Sequence, residues 1–389
     1  MTNTRITSID ITRGLVMVIM ALDHVREFFH TTAMTMSPTD LETTTTALFF
    51  TRWVTHLCAP AFVFLAGASA YISMKRLNNV RESSIFLLKR GIWLVVLEIT
   101  LINFALWFDI RFRLIILEVI AAIGLSFIVL SVILRLNSRI IGIAGIIIIF
   151  THNLLQGVPL PANPATAALF SVLFRPNLLP VTPDLSFFTA YPLIPWLGIM
   201  LIGFGCGEFL MMPAEKIKSI FLKLGLAFII LFAAIRFSNF YGDPSRWSEQ
   251  RSGWFTFLSF INVTKYPPSL LFSLLFAGLT MIILFICEKA GNRITRFMEI
   301  YGRVPFFFFI IHLYLIHSLM FVMLFIQRYG LEDLSFGVFK NGRPETGGGV
   351  SLLVVYLVWA GVVAALYPLC KWYGNYKAAH REKKILAYL

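Results

Sequence analysis

Residues 268–288 read PSLLFSLLFAGLTMIILFICE, and no charged side chain occurs between Pro268 and Cys287. An apolar run of about 20 residues makes a helix of about 30 Å, the thickness of the hydrocarbon core of a bilayer. A helix that is apolar all round at this length has no place on a soluble protein surface. The same pattern repeats along the chain, at roughly 13–30, 50–73, 91–108, 113–134, 139–156, 191–212, 219–237, 268–288, 304–327 and 350–371. It predicts an all-α, polytopic integral membrane bundle of about ten transmembrane helices. The third, fourth and fifth runs are joined by short connections, so their boundaries are the loosest.

Composition agrees. The chain has 389 residues, 58% of them hydrophobic and 14% charged, with a mean hydropathy of +0.79; soluble domains carry about a quarter charged residues. No polar block is long enough to fold by itself, which predicts a single transmembrane domain over 1–389. A soluble enzyme, a secreted domain and a nucleic-acid binder are all excluded as classes. The net charge of +13 lies in short loops between apolar runs rather than in one basic patch interleaved with aromatics. The first apolar run, Gly14–Leu22, meets Asp23, His24 and Arg26 with no small-x-small cleavage site after it, so it reads as a retained first helix.

Lysine and arginine set the orientation. With the N-terminus in the cytoplasm, cytoplasmic segments hold 21 of the 33 and outer segments 10. The positive-inside rule therefore puts both termini in the cytoplasm, with a cytoplasmic tail at about 372–389. The longest loop, about 157–190, is then extracytoplasmic; it contains six prolines and is not expected to form one regular helix. A second outer loop, 238–265, carries Trp247 and Trp254, read as interfacial anchors or as platforms for a sugar. Cys58, Cys206, Cys287 and Cys370 match no zinc or redox spacing and read as small packing residues.

Charges inside a bilayer cost several kcal/mol each and are functional candidates by default. The first span carries Asp23, His24, Arg26 and Glu27, with His30 near its end. At 3.6 residues per turn, Arg13, Met17, Met20, His24 and Glu27 share one stripe. Glu27 could orient the His24 ring, while Asp23 is spaced to pair with Arg26. The second span adds Arg52 and His56, four apart on one face and followed by Pro60 and Gly67. If the two spans pack as an antiparallel hairpin, their polar halves meet. Glu98, Glu118, His152, Asn153, His312 and His317 are further polar residues within apolar runs; His312 and His317, five apart, do not share a face well.

A histidine near neutral pH is a general base or a nucleophile, and a neighbouring carboxylate can fix its tautomer. There is no Gly-x-Ser-x-Gly elbow, P-loop or His-Glu-x-x-His helix. The spacing of His24, His30 and His56 matches no metal-ligand pattern, and no metal is expected. A proton-coupled transporter using the same residues as a relay is the alternative class; no paired broken helices or inverted repeat support it. A non-catalytic scaffold leaves the polar first span unexplained.

The run RITSIDITRGL (5–15) followed by MALDHVREFF (20–29) resembles the bacterial membrane proteins grouped with the catalytic domain of heparan-α-glucosaminide N-acetyltransferase. RWVTHLCAP (52–60), FVFLAG (62–67), HNLL (152–155), YPLIPWLG (191–198), KYPPS (265–269), Pro305 through His312 to His317, and YPLCKW (367–372) extend the resemblance. It implies acyl transfer across a membrane, from cytosolic acetyl-CoA or another acyl-CoA to a sugar or amino sugar on the far side. It also implies a bacterial inner membrane as the location. A wider set of membrane acyltransferases has a similar Asp-x-x-Arg start, here Asp10 to Arg13, and a histidine late in the first helix, where His24 falls. The lysosomal branch has asparagine at that point and a later histidine, to which His30 is the nearer match. Both histidines thus stand as candidates, and amino-sugar specificity stays open.

Residues and resemblance together suggest that Arg13, Lys75, Arg76, Lys89 and Arg90 hold the phosphates of acyl-CoA as co-substrate. His24 would take the acceptor's proton or be acylated itself, with Glu27 or Asp23 orienting it, His56 nearby and Arg52 at the oxyanion. Acceptor, acyl chain and oligomeric state, a homo-oligomer included, are not fixed by the sequence.

Overall fold

The computed structural model describes residues 7–380 except Met34 and Lys289, together with Glu382, Lys383 and Leu386 of the tail; the side chain of Gln156 is not described. Arg5, Lys289, Arg381 and Lys384, used in the orientation count, lie outside the described residues. The chain is an all-α polytopic membrane protein. In order, the helices are α1 (Thr7–Phe29), α2 (Thr46–Thr55), α3 (Cys58–Leu77), α4 (Val80–Leu97), α5 (Asn103–Trp107), α6 (Val119–Ile133), α7 (Ser138–Thr151), α8 (Pro164–Phe174), α9 (Leu193–Cys206), α10 (Ala214–Ser238), α11 (Gly253–Ile261), α12 (Leu270–Cys287), α13 (Arg293–Arg303), α14 (Pro305–Ile326) and α15 (Leu352–Ala379).

Among the described residues, seven helical runs are long and apolar enough to cross a membrane by length and composition: Thr46–Leu77, Ser138–Leu155, Leu193–Met211, Ala214–Ser238, Leu270–Cys287, Pro305–Ile326 and Leu352–Ala379. Their outward faces leave Ile140, Ile147, Ile230, Val322 and Leu357 about half exposed or more, which only lipid tolerates over so wide a surface. Three of the ten expected spans fall outside this set. α1 carries too many charges. The 91–108 run follows the charged start of α4 and passes through a π-helical turn, Glu98–Ile102, into α5. The 113–134 run needs correcting: Leu114–Leu117 is a strand (β1) and the helix covers only Val119–Ile133, 15 residues.

The strand forms because Leu114–Leu117 finds a partner. It pairs parallel with β3 (Leu185–Thr189), which pairs antiparallel with β2 (Asn177–Thr182), giving the order β1-β3-β2. The 157–190 loop therefore holds α8, β2 and β3 rather than one helix. A small ribbon joins β4 (Phe336–Gly337) to β5 (Lys340–Asn341). The second span is broken too. α2 stops at Thr55 and α3 starts at Cys58, because Pro60 has no N–H and its ring crowds the carbonyl of His56. The break leaves His56 at the C-terminal end of α2, facing the middle of the bundle.

Helices abut through glycines. A Cβ on Gly14 would lie 1.7 Å from Met298 O, and one on Gly302 1.7 Å from Asp10 O, so α1 and α13 touch backbone to backbone. α4 and α6 meet similarly at Gly91 and Gly124, and α10 and α12 at Gly225 and Gly278. Within lipid, where burial of apolar surface gives no drive between helices, close approach and dispersion hold such pairs.

The loop after α10 is held by one arginine. Arg236, 1% exposed, donates to Phe260 O (2.9 Å), Ser245 O (2.7 Å), Ser259 O (3.0 Å) and Asn262 O (2.9 Å). Replacing it with methionine keeps the volume but strands four carbonyls. Arg236→Met is expected to cost roughly 2–4 kcal/mol and to open 239–262 to protease. Limited proteolysis in detergent checks this, and a cleavage pattern unchanged from wild type would refute it.

Candidate active site

Three side chains on the last two turns of α1 organise the centre. Asp23 is buried and ion-paired twice, to Arg26 one turn on (3.1 Å) and to Arg52 of α2. The first two spans do meet through their polar halves. Arg52 also donates Nη2 to Tyr266 Oη (3.4 Å). The desolvation that makes a buried ion costly is offset here because one carboxylate answers two guanidiniums.

His24 turns away from this ion cluster toward α14. Its Nδ1 lies 2.7 Å from His312 Nε2, and the rings stack at 5.0 Å. His312 Nδ1 in turn lies 2.9 Å from Phe308 O. These contacts fix the tautomers of the neutral pair. A carbonyl only accepts, so His312 Nδ1 carries its proton and Nε2 is bare. His24 Nδ1 must then donate to that nitrogen, which leaves His24 Nε2 as a lone pair. The hydrogen-bonding partner that orients His24 is therefore His312, not Glu27 or Asp23. Glu27 is exposed, and the Asp23 carboxylate is taken up by Arg26 and Arg52.

The other candidates are spread out. His56 is buried between the rings of Phe272 and Phe276, each at 5.8 Å, and its Nδ1 has no partner. His30 faces the loop after α1: its Nδ1 accepts from Thr32 N (3.3 Å) and its carbonyl accepts from Arg343 (2.9 Å). Among the described residues no three His, Cys, Asp or Glu side chains converge as metal ligands.

A cavity of about 650 Å³ opens at the end of the bundle where α1 begins. Arg13, Arg76, Arg90, Arg303 and Lys377 line it, with Met17, Phe62, Phe127 and Phe309 among its apolar walls. Three of the five basic residues picked from the sequence are thus brought together; Lys75 and Lys89 are exposed and do not line it. Arg13 is braced by Leu65 O (3.2 Å) and the Ser69 hydroxyl. Phe309 links this cavity to the centre, since its ring is 6.3 Å from that of His24 and 5.6 Å from that of His312. The cavity has the size of a cofactor site, basic at one end and apolar toward the histidines.

Sequence reasoning missed two partners. His312 was one polar residue among several in apolar runs, and only its meeting with His24 gives it a role. Lys265 counted as a loop cation, yet it is 7% exposed and its Nζ lies 5.1 Å from the ring centre of Tyr266, whose hydroxyl accepts from Arg52. The signal for His312 was a lone imidazole in the middle of an otherwise apolar span; Lys265, ahead of α12, had none.

A helical membrane bundle with a polar centre between a basic cavity and an ion-paired end is the architecture of an integral membrane protein with chemistry inside it. Residues 5–238 match the family model of heparan-alpha-glucosaminide N-acetyltransferase, catalytic, and the chain belongs to that family. The match ends with α10, so His312 and Lys265 lie beyond it. No curated protein matches the chain.

Proposed function

We propose that the protein is a membrane acyltransferase that passes an acyl group, acetyl in the first instance, from a cytoplasmic acyl-CoA to a sugar or amino sugar at the opposite face of a bacterial inner membrane, and that the whole chain acts as one domain. The observation that carries this reading is the run from basic cavity through Phe309 to the lone pair of His24, with the Asp23–Arg52 cluster on the far side. Family membership supports acyl transfer in general. Basic side chains at the cavity mouth suit nucleotide phosphates, and Arg suits them best. The apolar wall suits the pantetheine arm, which would bring its thioester to His24. The acceptor enters from the far end. Its nitrogen or oxygen bonds to the thioester carbon as its proton passes to His24 Nε2; the C–S bond then breaks and the CoA thiolate takes the proton. His312 holds the imidazole in the tautomer that this step needs.

The test is release of CoA thiol from acetyl-CoA by the purified protein, with and without glucosamine. Acceptor-stimulated release is expected. Arg76→Gln with Arg90→Gln is expected to raise the KM for acetyl-CoA about tenfold, in line with loss of one or two charge-assisted contacts. An unaltered KM would remove the phosphate role. Proton-driven solute flux without acyl-CoA consumption would instead favour a transporter.

A further inference from the structure

Three cations lie around Asp23 and Tyr266, and two of them are ion-paired to Asp23. Arg26 and Arg52 both bind Asp23, and Arg52 also reaches Tyr266. Lys265 is the third. It is 7% exposed, and its Nζ stands 5.8 Å from the ring centre of Tyr191 and 5.1 Å from that of Tyr266. Among the described residues the ammonium makes no hydrogen bond and no ion pair. Two aromatic faces soften the burial of a cation but satisfy none of its three N–H donors. The described residues supply no oxygen to those donors, so they are left for a ligand or water to meet.

Its position is firmly set. Lys265 lies in an isolated bridge to Pro268, beside a clasp in which Asp243 accepts from Thr264 N (2.9 Å) and the Ser269 hydroxyl (2.6 Å). From there the side chain reaches inward. Tyr266, which flanks the ammonium, ties it to the ion cluster: its Oη accepts from Arg52 Nη2 (3.4 Å), and Arg52 is paired to Asp23, the neighbour of His24 in α1. The ammonium therefore lies beside the Asp23–Arg52 cluster that adjoins His24.

Resting on the acyl-transfer reading above, we propose that Lys265 is a catalytic residue, whose ammonium holds the thioester carbonyl oxygen as negative charge develops on it. When the acceptor adds to the carbonyl carbon and its proton goes to His24, the carbonyl π pair moves onto oxygen and is met by Lys265. The pair returns as the C–S bond breaks, and the CoA thiolate leaves with the proton from His24. Arg52, the sequence's candidate for this task, instead keeps Asp23 neutralised. A fixed donor aimed at developing charge in a water-poor site is the arrangement that lowers an acyl-transfer barrier most.

The experiment uses the full-length protein in detergent, with acetyl-CoA and glucosamine as probes and thiol release as readout. Lys265→Met is expected to lower kcat roughly 100-fold while both KM values stay within about threefold of wild type. Lys265→Arg is expected to retain kcat within about tenfold of wild type, because the charge survives with a changed reach. If Lys265→Met is not monodisperse, Lys265→Gln replaces it and the same drop in kcat is expected. A neutral variant with wild-type kcat overturns the proposal, as does one whose KM for glucosamine rises while kcat holds, which would make Lys265 an acceptor-binding group. Wild-type protein that releases no thiol overturns the acyl-transfer reading itself, and the role of Lys265 with it.

Discussion

Replacing His24 with alanine is expected to lower the kcat of acceptor-stimulated thiol release roughly a thousandfold, with folding and acetyl-CoA binding kept. The folding half of this expectation follows from packing. His24 is half-buried, and its contacts are the stacked ring of His312 and the edge of Phe309. Loss of one such pair is tolerable in a bundle of this size. The chemical half follows from the tautomer chain. His24 Nε2 is the one lone pair that Phe308 O and His312 leave pointing away from the pair. Removing His312 should then be the milder lesion. His312→Phe keeps the stacking and removes the acceptor for His24 Nδ1, so kcat falls by about tenfold to a hundredfold and the acyl-CoA KM is unmoved. Equal kcat in wild type and His24→Ala would mean that the proton is taken elsewhere, and the open Nδ1 of His56 would be next to test.

Gly302→Val is expected to break the α1–α13 seam and strongly destabilise the bundle. The side chain would start 1.7 Å from Asp10 O, a backbone atom that cannot swing aside, so α13 must leave α1 or distort it. Overpacking a soluble core typically costs about 1–3 kcal/mol because side chains yield; a helix seam made of main chain does not yield, and more than about 3 kcal/mol is expected. The protein would be recovered aggregated, or with a melting temperature lowered by well over ten degrees in detergent. Gly253→Val, where nothing lies within 4 Å, serves as the matched control. A Gly302→Val protein as stable as that control would mean that the α1–α13 seam is looser than described.

Much of this architecture was legible beforehand because bilayer thickness imposes it. A run such as 270–287 has one interpretation, and hydropathy found every helix that meets the length and composition required. Polar residues in α1 and α2 were legible for the same reason, since their cost demands a use. Pairings were not. His24 and His312 are 288 positions apart, and no local period links them. The strand at Leu114–Leu117 was read as helix because Ile and Leu serve either state, and the choice was made by a partner strand at Leu185–Thr189. The cavity was half legible: basic loops are what insertion requires, so charge alone could not separate Arg76 and Arg90, which line it, from Lys75 and Lys89, which do not.

The glycine seams also bear on how the protein meets membranes of different thickness. A helix joined to its neighbour through side chains can slide or splay as lipids stretch it. One joined main chain to main chain, as α1 is to α13 at Gly14 and Gly302, has its separation set by van der Waals contact of backbone atoms, which cannot swing aside as side chains do. α1 carries Arg13 at the cavity and His24 at the centre on one continuous helix. The distance from mouth to imidazole is then a fixed gauge. The reach demanded of any ligand along α1 is therefore expected to stay the same in thicker and thinner bilayers.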